Sequence, residues 1–527
     1  MEAHLPPWEM DSGDESKALI STGIRGGGRL VAPSQLKERA SRAAAVLHAL
    51  GVRSGDCVAI LMRNDLAFLE VSLGAQWLGA YAVPVNWHFK PEEALYVLCD
   101  CDARVLVAHV DLLRPLAVPS TIAVLQAQVP AALARAYRLA ADAIAPIDAV
   151  PDWEASLAAA APYGGASALF TDSMIYTSGT TGFPKGVRRE MPRDEAQRRL
   201  VDGMRDLIYD FRPTMRTAVV APMYHSAPNA FSLRAARIAE YLELAPRFDA
   251  EELLSLIERE RLTHLWLVPT MFVRLLKLPE ATRRHYDLSS LQFVVHGAAP
   301  CAPEVKRSMI EWLGPIIHEY YGGTESGAVV YCDSQQWLAH PGTVGKPIPS
   351  ARVEIHDEHG NLLEPGIVGE IFMKIAYYPD FTYHKLPERR TEVGRGELVT
   401  CGDIGYLDED GFLYLCDRKR DMVISGGVNI YPSEIEAALC MLDEVHDCAV
   451  FGIPDDEFGE SLIAVVEPVA GAAISTDRLR QQLGKRLADY KVPRRIEIRG
   501  ALPREDSGKI FKRLLRDPYW RSRERAI

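Results

Sequence analysis

Residues 176–186 read YTSGTTGFPKG, four Ser/Thr hydroxyls and three glycines around a single lysine. Glycines let the chain turn successive N–H groups toward one anion, the hydroxyls add donors, and Lys185 adds a point charge. Thr177, Ser178, Gly179, Thr180, Thr181, Gly182 and Lys185 are therefore candidate phosphate-binding residues. The common loop G-x-x-x-x-G-K-[ST] does not fit. Phe183 and Pro184 separate Gly182 from Lys185, and Gly186 stands where Ser or Thr is required. A merely flexible polar loop has a similar composition, but the preceding SMIY (173–176) reads as a strand feeding the loop. A ligand loop at the carboxyl end of a strand is the arrangement of open α/β sheets.

Outward from that loop the chain alternates between strands and helices. SQLKERASRAAAVLHALGV (34–52) puts Leu36, Ala40, Ala43, Leu47 and Leu50 on one helical face, with Ser34 as its cap. GDCVAILMRND (55–65) reads as a buried strand, LAFLEVSLGAQWLGA (66–80) as a helix and YAVPVN (81–86) as a strand. Beyond Pro91 come a helix (92–102) and the strand ARVLVAHV (103–110). Such alternation predicts α/β architecture with parallel sheets. LTHLWLVPT (262–270) and LQFVVHGAAP (291–300) are further apolar strands running into loops, and the Ala-rich stretch 130–149 reads as a surface helix. Past Asp417 the texture changes to a charged run, a Gly-Gly turn and a helix opened by Pro432 with Glu434 and Glu436 near its positive end. This predicts a domain over 1–417, a hinge at 418–420 and a second domain over 421–527.

Composition narrows the function. At 527 residues the chain exceeds one ordinary core, and 48% hydrophobic with 25% charged residues is typical of a soluble protein. A net charge of -12 argues against general nucleic-acid binding. The N-terminus lacks the basic start and apolar run of a signal peptide, and no segment has the length and apolarity of a membrane span. Nine cysteines, with Cys99 and Cys101 the only close pair, give no zinc spacing. They read as reduced, mostly buried thiols of a cytoplasmic protein.

Six blocks in order carry a resemblance: YTSGTTGFPKG, APMYHSAP (221–228), VVHGAAP (294–300), YYGGTE (320–325), CGDIGYLDEDGFLYLCDRKRD (401–421) and LPREDSGKI (502–510). Together they resemble the adenylate-forming enzymes, the AMP-binding acyl- and aryl-CoA synthetases and their relatives, over nearly the whole chain. The resemblance implies a large N-terminal α/β domain of mixed and parallel sheets flanked by helices, and a small α+β C-terminal domain joined by a hinge. It also implies an acid–thiol ligase that uses ATP, Mg²⁺ and coenzyme A, and that activates a carboxylic acid as an acyl-adenylate.

The resemblance assigns roles. The loop 177–185 would hold the β- and γ-phosphates, Glu325 would hold Mg²⁺, and Thr324 would reach the α-phosphate. Tyr321 and Gly322, with Gly297, Ala298 and Ala299, would enclose adenine. Asp403 would accept from the ribose hydroxyls and Arg418 would reach the ribose and phosphate. Lys509 would bridge α-phosphate and carboxylate, His225 would stand beside that carboxylate, and Gly426 and Gly427 would admit a pantetheine arm after the C-terminal domain rotates. Out of context each has a plainer reading, as a core aromatic, a core histidine or a surface ion pair. Cys401 and Arg420 depart from the family pattern (Thr, and Asp or Lys) without removing a group the chemistry needs.

The chain ends soon after Lys509, which favours free coenzyme A over a carrier domain in cis. A separate carrier protein is the alternative thiol, and a homo-oligomer stays open. Small residues at Gly297, Ala298, Gly322, Gly323, Gly327 and Ala328, with Phe231, Trp266, Leu267 and Met271 as walls, point to a medium- or long-chain fatty acid or a bulky steroid- or bile-acid-like acid. An aromatic acid is next. A nucleotide-binding regulatory protein is the reading from another class.

Overall fold

The computed structural model describes residues 21–168, 171–177, 184–419, 421–425, 428–472, 474–504 and 510–521. Cys57–Leu61 and Ala103–His109 are near-continuous apolar runs, as strands covered on both faces must be. They form the centre of a four-stranded parallel sheet, with Tyr81–Pro84 and Ala123–Ala127 outside them. The helix Leu66–Trp77 has no polar face because it is buried from Leu66 to Gln76. Its one carboxylate, Glu70, is met by Arg39 at 2.5 Å and by the Trp153 indole at 3.0 Å.

A fifteen-stranded sheet carries the site. Tyr241–Leu244, Arg216–Val219, His264–Leu267, Phe293–His296 and Ile317–Gly323 lie side by side and parallel. Their carboxyl ends therefore share one edge, and the loops after Val219, His296 and Gly323 converge there. At Gly327–Cys332 the sheet turns antiparallel and continues through Thr343–Pro347, Leu413–Arg418 and Asp403–Leu407. Ligands in open α/β sheets bind where the strand order reverses. A small antiparallel sheet of Ile175–Thr177, Lys185–Arg189 and Phe381–Tyr383 adds the quoted loop.

Residues from Val423 onward build a five-stranded sheet with helices Pro432–Cys440, Thr476–Gly484 and Lys512–Trp520. Its two apolar clusters draw only on residues of this segment. The α/β class, the large sheet domain and the smaller C-terminal one thus agree with the sequence reading.

Three local readings need correction. Ser34 is not the cap: the helix is Pro33–Ala49, Pro33 sets its first turn, and the Gln35 side chain accepts from the Ala32 N–H at 2.9 Å. The Ala-rich stretch is helical only over Ala131–Ala136. Tyr137 is drawn away by its hydroxyl bond to the Pro246 carbonyl (2.9 Å) and by the Arg63 guanidinium over its ring, and Arg138 takes φ 53°. The nine cysteines are free, but only Cys57, Cys101, Cys332 and Cys448 are buried. Among the described residues no helix is long and apolar enough to cross a membrane.

Candidate active site

Three residues expected on the nucleotide side, far apart in sequence, meet in the structure. The Tyr321 hydroxyl donates to Asp403 Oδ2 at 2.8 Å, and Arg418 Nε lies 3.3 Å from Asp403 Oδ1. Asp403 and Arg418 face each other across an antiparallel pair, while Tyr321 comes from the last parallel strand. Burial and the Asp403 carboxylate hold the Tyr321 phenol well above its usual range, so it stays a neutral donor. A carboxylate has about four lone-pair sites. Two contacts leave Asp403 with capacity for further hydroxyl donors.

On the side expected to hold the phosphates, Ile175–Thr177 and Lys185–Arg189 are antiparallel partners with Thr177 opposite Lys185, and the Lys185 ammonium lies 5.6 Å from the centroid of the Tyr383 ring. The Tyr383 hydroxyl donates to Glu325 Oε1 at 3.0 Å. Lys185, Tyr383 and Glu325 thus form one connected row. Arg189 shares a strand face with Lys185 and is 5% exposed. It donates to the carbonyls of Thr324 (2.7 Å), Glu325 (2.8 Å) and Pro379 (2.6 Å) and stacks on Tyr378 at 4.1 Å. Three carbonyls on one guanidinium fix the backbone from which Thr324 and Glu325 project. No group of three or more His, Cys, Asp or Glu that could hold a metal occurs among the described residues. Glu325 is a single oxygen donor set, which fits Mg²⁺ held mainly by phosphates and water.

The loop after Phe293–His296 supplies Gly297, Ala298 and Ala299. Gly297 is buried, and a Cβ there would lie 2.9 Å from the Tyr320 ring, so only glycine fits. Ala298 takes φ 67°, a strained conformation for a residue with a side chain, and it and Ala299 are exposed. The helix after the loop is pinned by Lys306, whose ammonium meets Glu319 at 2.6 Å with both residues buried.

Three of the glycines read as leaving volume have close neighbours. A Cβ on Gly322 would lie 1.8 Å from the Gly327 carbonyl, one on Gly323 2.4 Å from Cys401 Sγ, and one on Gly327 2.7 Å from the Tyr378 ring. These glycines admit close neighbours and do not mark open volume. Cys401 fills the space left by Gly323, and burial with Glu325 and Asp403 nearby keeps its thiol protonated. Phe231, Trp266, Leu267 and Met271 are 3% exposed or less and belong to the main core. Tyr320 occupies their midst, accepting from the Trp266 indole at 3.1 Å.

His225 is the N-cap residue of helix Ser226–Ile238, its ring 4.3 Å from that of Tyr224. The loop before it is held by buried Asn64, which donates to the Ala221 carbonyl (3.0 Å) and accepts from the Met223 N–H (2.9 Å). Ser226 and Thr324 line one cavity, which brings the histidine end of the helix to the phosphate edge.

Ser178, Gly179, Thr180, Thr181, Gly182, Gly426, Gly427 and Lys509, and the Arg420 departure, lie outside the described residues. Tyr321, Asp403 and Arg418 are brought together, as are Lys185 and Glu325 through Tyr383. Arg189, Tyr383 and Asn64 were missed. The two-residue period from Lys185 through Val187 points to Arg189. Nothing local marks Tyr383, which arrives from a distant strand.

Comparison with known proteins agrees with this geometry. The AMP-binding enzyme model matches residues 14–377, and its C-terminal domain model matches residues 434–509. A feruloyl-CoA synthase of Amycolatopsis sp is 33% identical, over 93% of this chain and 94% of that protein. The long-chain-fatty-acid–CoA ligase FadD13 of Mycobacterium tuberculosis is 32% identical, over 92% of each. The crystal structure of ATP-bound MatB from Rhodopseudomonas palustris has a TM-score of 0.80 at 26% identity, covering 95% of this chain and 96% of that one. The chain belongs to the AMP-binding enzymes, the adenylate-forming superfamily, and stands there among the acid–thiol ligases.

Proposed function

We propose that this protein is an ATP-dependent carboxylic acid:CoA ligase, forming AMP and pyrophosphate through an acyl-adenylate. The observation that carries the reading is the Asp403 carboxylate held by Tyr321 at 2.8 Å and by Arg418 at 3.3 Å, next to the Thr324–Glu325 backbone that Arg189 anchors. Named relatives that act on feruloyl and long-chain fatty acyl groups support the reaction class without fixing the acid.

In the first step a carboxylate oxygen attacks the α-phosphorus, the bond to the bridging oxygen breaks, and pyrophosphate leaves. Anion meets anion, so the residues act by positioning and neutralising charge. Asp403 receives the ribose hydroxyls, while the Tyr321 ring and the backbone of Gly297 to Ala299 and Gly322 enclose adenine. Thr177, Lys185 and the loop between them hold the outer phosphates. Thr324 bonds the α-phosphate, His225 orients the attacking carboxylate, and Lys509 bridges the two. Glu325 would hold Mg²⁺, which supplies neutralisation of the phosphate oxygens.

In the second step a thiol sulfur attacks the acyl carbon, the bond to AMP oxygen breaks, and the thiol proton passes to solvent. Lys509 must withdraw first. A boundary at 418–420, with rotation of 421–527 bringing Gly426 and Gly427 to the site, accounts for that change, and the separate apolar clusters past Val423 support it. Free thiols and the lack of a membrane-crossing helix among the described residues suit a cytoplasmic setting.

The test is pyrophosphate release with ATP, Mg²⁺ and a panel of carboxylic acids, with and without coenzyme A. Acid-dependent release with coenzyme A consumed is the expected result. Release without consumption points to a carrier-protein thiol. Absence of acid-dependent release overturns the proposal.

A further inference from the structure

The C-terminal segment brings two cysteines together across a short turn. Cys440 is the last residue of the helix Pro432–Cys440, and Cys448 lies on the strand Val445–Asp455 that follows it. Their sulfurs are 3.7 Å apart, in van der Waals contact. The Cys448 thiol also donates to the Glu436 carbonyl at 3.5 Å, and the Glu436 carboxylate accepts from the Val450 N–H at 2.6 Å. Glu436 and Cys440 are about one helical turn apart. These bonds therefore hold the Cys448 sulfur against the helix face that carries Cys440.

The two thiols differ in access. Cys440 is exposed, whereas Cys448 is 3% exposed within a C-terminal apolar cluster. A reagent from solvent therefore meets Cys440 first, with Cys448 directly behind it. The Cys440 thiol donates to Asp447 Oδ1 at 3.9 Å, and Arg504 meets the other oxygen of that carboxylate at 2.6 Å. Lys277, at the end of the helix Pro269–Leu276, donates to the His446 carbonyl at 2.9 Å, and its charge acts on Cys440. Arg504 and Lys277 thus offset the Asp447 charge, which by itself would oppose formation of the reactive thiolate. Cys57 and Cys101 give the contrast. Their side chains are hydrogen-bonded to each other, but both are buried. Proximity without access leaves that pair closed to reagents in solvent.

We propose that Cys440 and Cys448 form a modification site for hydrogen peroxide, closing to a disulfide that ties the helix end to the strand. In the first step the Cys440 sulfur attacks one peroxide oxygen and the O–O bond breaks. Cys440 becomes a sulfenic acid, and its thiol proton leaves with the departing hydroxide as water. In the second step the Cys448 sulfur attacks the Cys440 sulfur and the S–O bond breaks. The Cys448 proton leaves with that hydroxide as a second water. Two thiols are oxidised, one peroxide is reduced, and an added dithiol restores both thiols by exchange. The site is separate from the ligase chemistry and stands whether or not that reading holds.

The experiment treats the reduced full chain with rising hydrogen peroxide, blocks the remaining thiols by alkylation, and digests it without reductant. Cleavage at Asp443 and Glu444 separates the two cysteines, so the disulfide appears in mass spectrometry as two linked fragments. The linkage is expected at peroxide concentrations about 10-fold below those that oxidise Cys99, the other exposed cysteine. Dithiothreitol should release the fragments. Cys440→Ser, a change at an exposed position, should abolish the linkage and leave Cys448 reduced. Cys448→Ser should leave Cys440 as a sulfenic acid that a dimedone probe traps. Cys440 oxidised past the sulfenic stage beside a free Cys448 thiol overturns the inference. So does a Cys440 no more sensitive than Cys99, or one linked to a different cysteine.

Discussion

The two sides of the candidate site are built differently. The nucleotide side is a set of short motifs at strand ends whose groups meet in pairs: Tyr321 with Asp403, Asp403 with Arg418, and Tyr383 with Glu325. The cleft between helices Glu195–Tyr209 and Ser226–Ile238 is lined mostly by residues outside those motifs, Ser226 and Thr324 excepted. The first is expected to match one ligand, ATP, through short motifs that strand pairing brings together from distant parts of the chain. The walls of the second come from wherever helices pack. A sharp reading of one side therefore says little about the other.

The strongest way to break the contrast is Lys509→Ala. Loss of the bridging charge should slow acyl-adenylate formation by about 10²–10³-fold. Thioester formation from pre-made acyl-adenylate should persist, which single-turnover assays of each half-reaction would read. Equal loss in both would refute the assignment of this lysine to the first step.

Asp403→Ala removes the carboxylate proposed to accept from the ribose and breaks its contact with Arg418. Hydrogen bonds to charged groups contribute about 1.5–3 kcal/mol each. The expected result is a rise in KM for ATP of about 10- to 100-fold, with KM for the acid little changed. A selective effect on the acid would invert the two sides.

Arg189→Met tests the backbone anchor. Leaving buried carbonyls without a donor costs about 1–3 kcal/mol each. Denaturant unfolding should reveal a loss of about 3 kcal/mol, and kcat should fall together with it. Retained stability with full activity would show that the Thr324–Glu325 backbone holds itself.

The strand bearing Tyr321 also carries His318, 4.2 Å from the Phe293 ring and bonded to the Tyr331 hydroxyl at 2.7 Å. Burial lowers its pKa to about 4. A lowered value means that the folded chain binds the proton less tightly than the unfolded one. The stabilisation is therefore full above pH ~6.5 and is lost as pH falls through about 4, up to about 3 kcal/mol in all. Thermal unfolding across that window should show an acid loss that His318→Gln flattens. An identical acid limb in the variant would assign the loss to other groups.

The smallest effect belongs to the acid side as the sequence portrayed it. Phe231 is 1% exposed in the main core. Phe231→Leu should cost about 1–2 kcal/mol of stability and leave the ranking of acids unchanged. A changed ranking would restore Phe231 as a pocket wall.

Much of the nucleotide side was legible because its signals are local. Glycines and hydroxyls before Lys185, the Thr324–Glu325 pair at a strand end and the acid in Cys401–Gly402–Asp403 can be read from a few neighbouring residues. Arg189 was half visible through its two-residue period. Tyr383 was not visible, because its contact with Glu325 depends on a strand pairing between residues far apart in the chain. The Ala-rich stretch misled for a related reason, since a tertiary bond from Tyr137 ended a helix that its composition favoured.

The sequence by itself determined the α/β class, the parallel strands and the AMP-binding family, because hydrophobic period and motif chemistry act over a few residues. Only the tertiary structure decided which glycines were filled, which apolar residues were core and which helix faces share a cavity. Packing brings distant side chains into the same space, and no single stretch of the chain encodes which of them will occupy it.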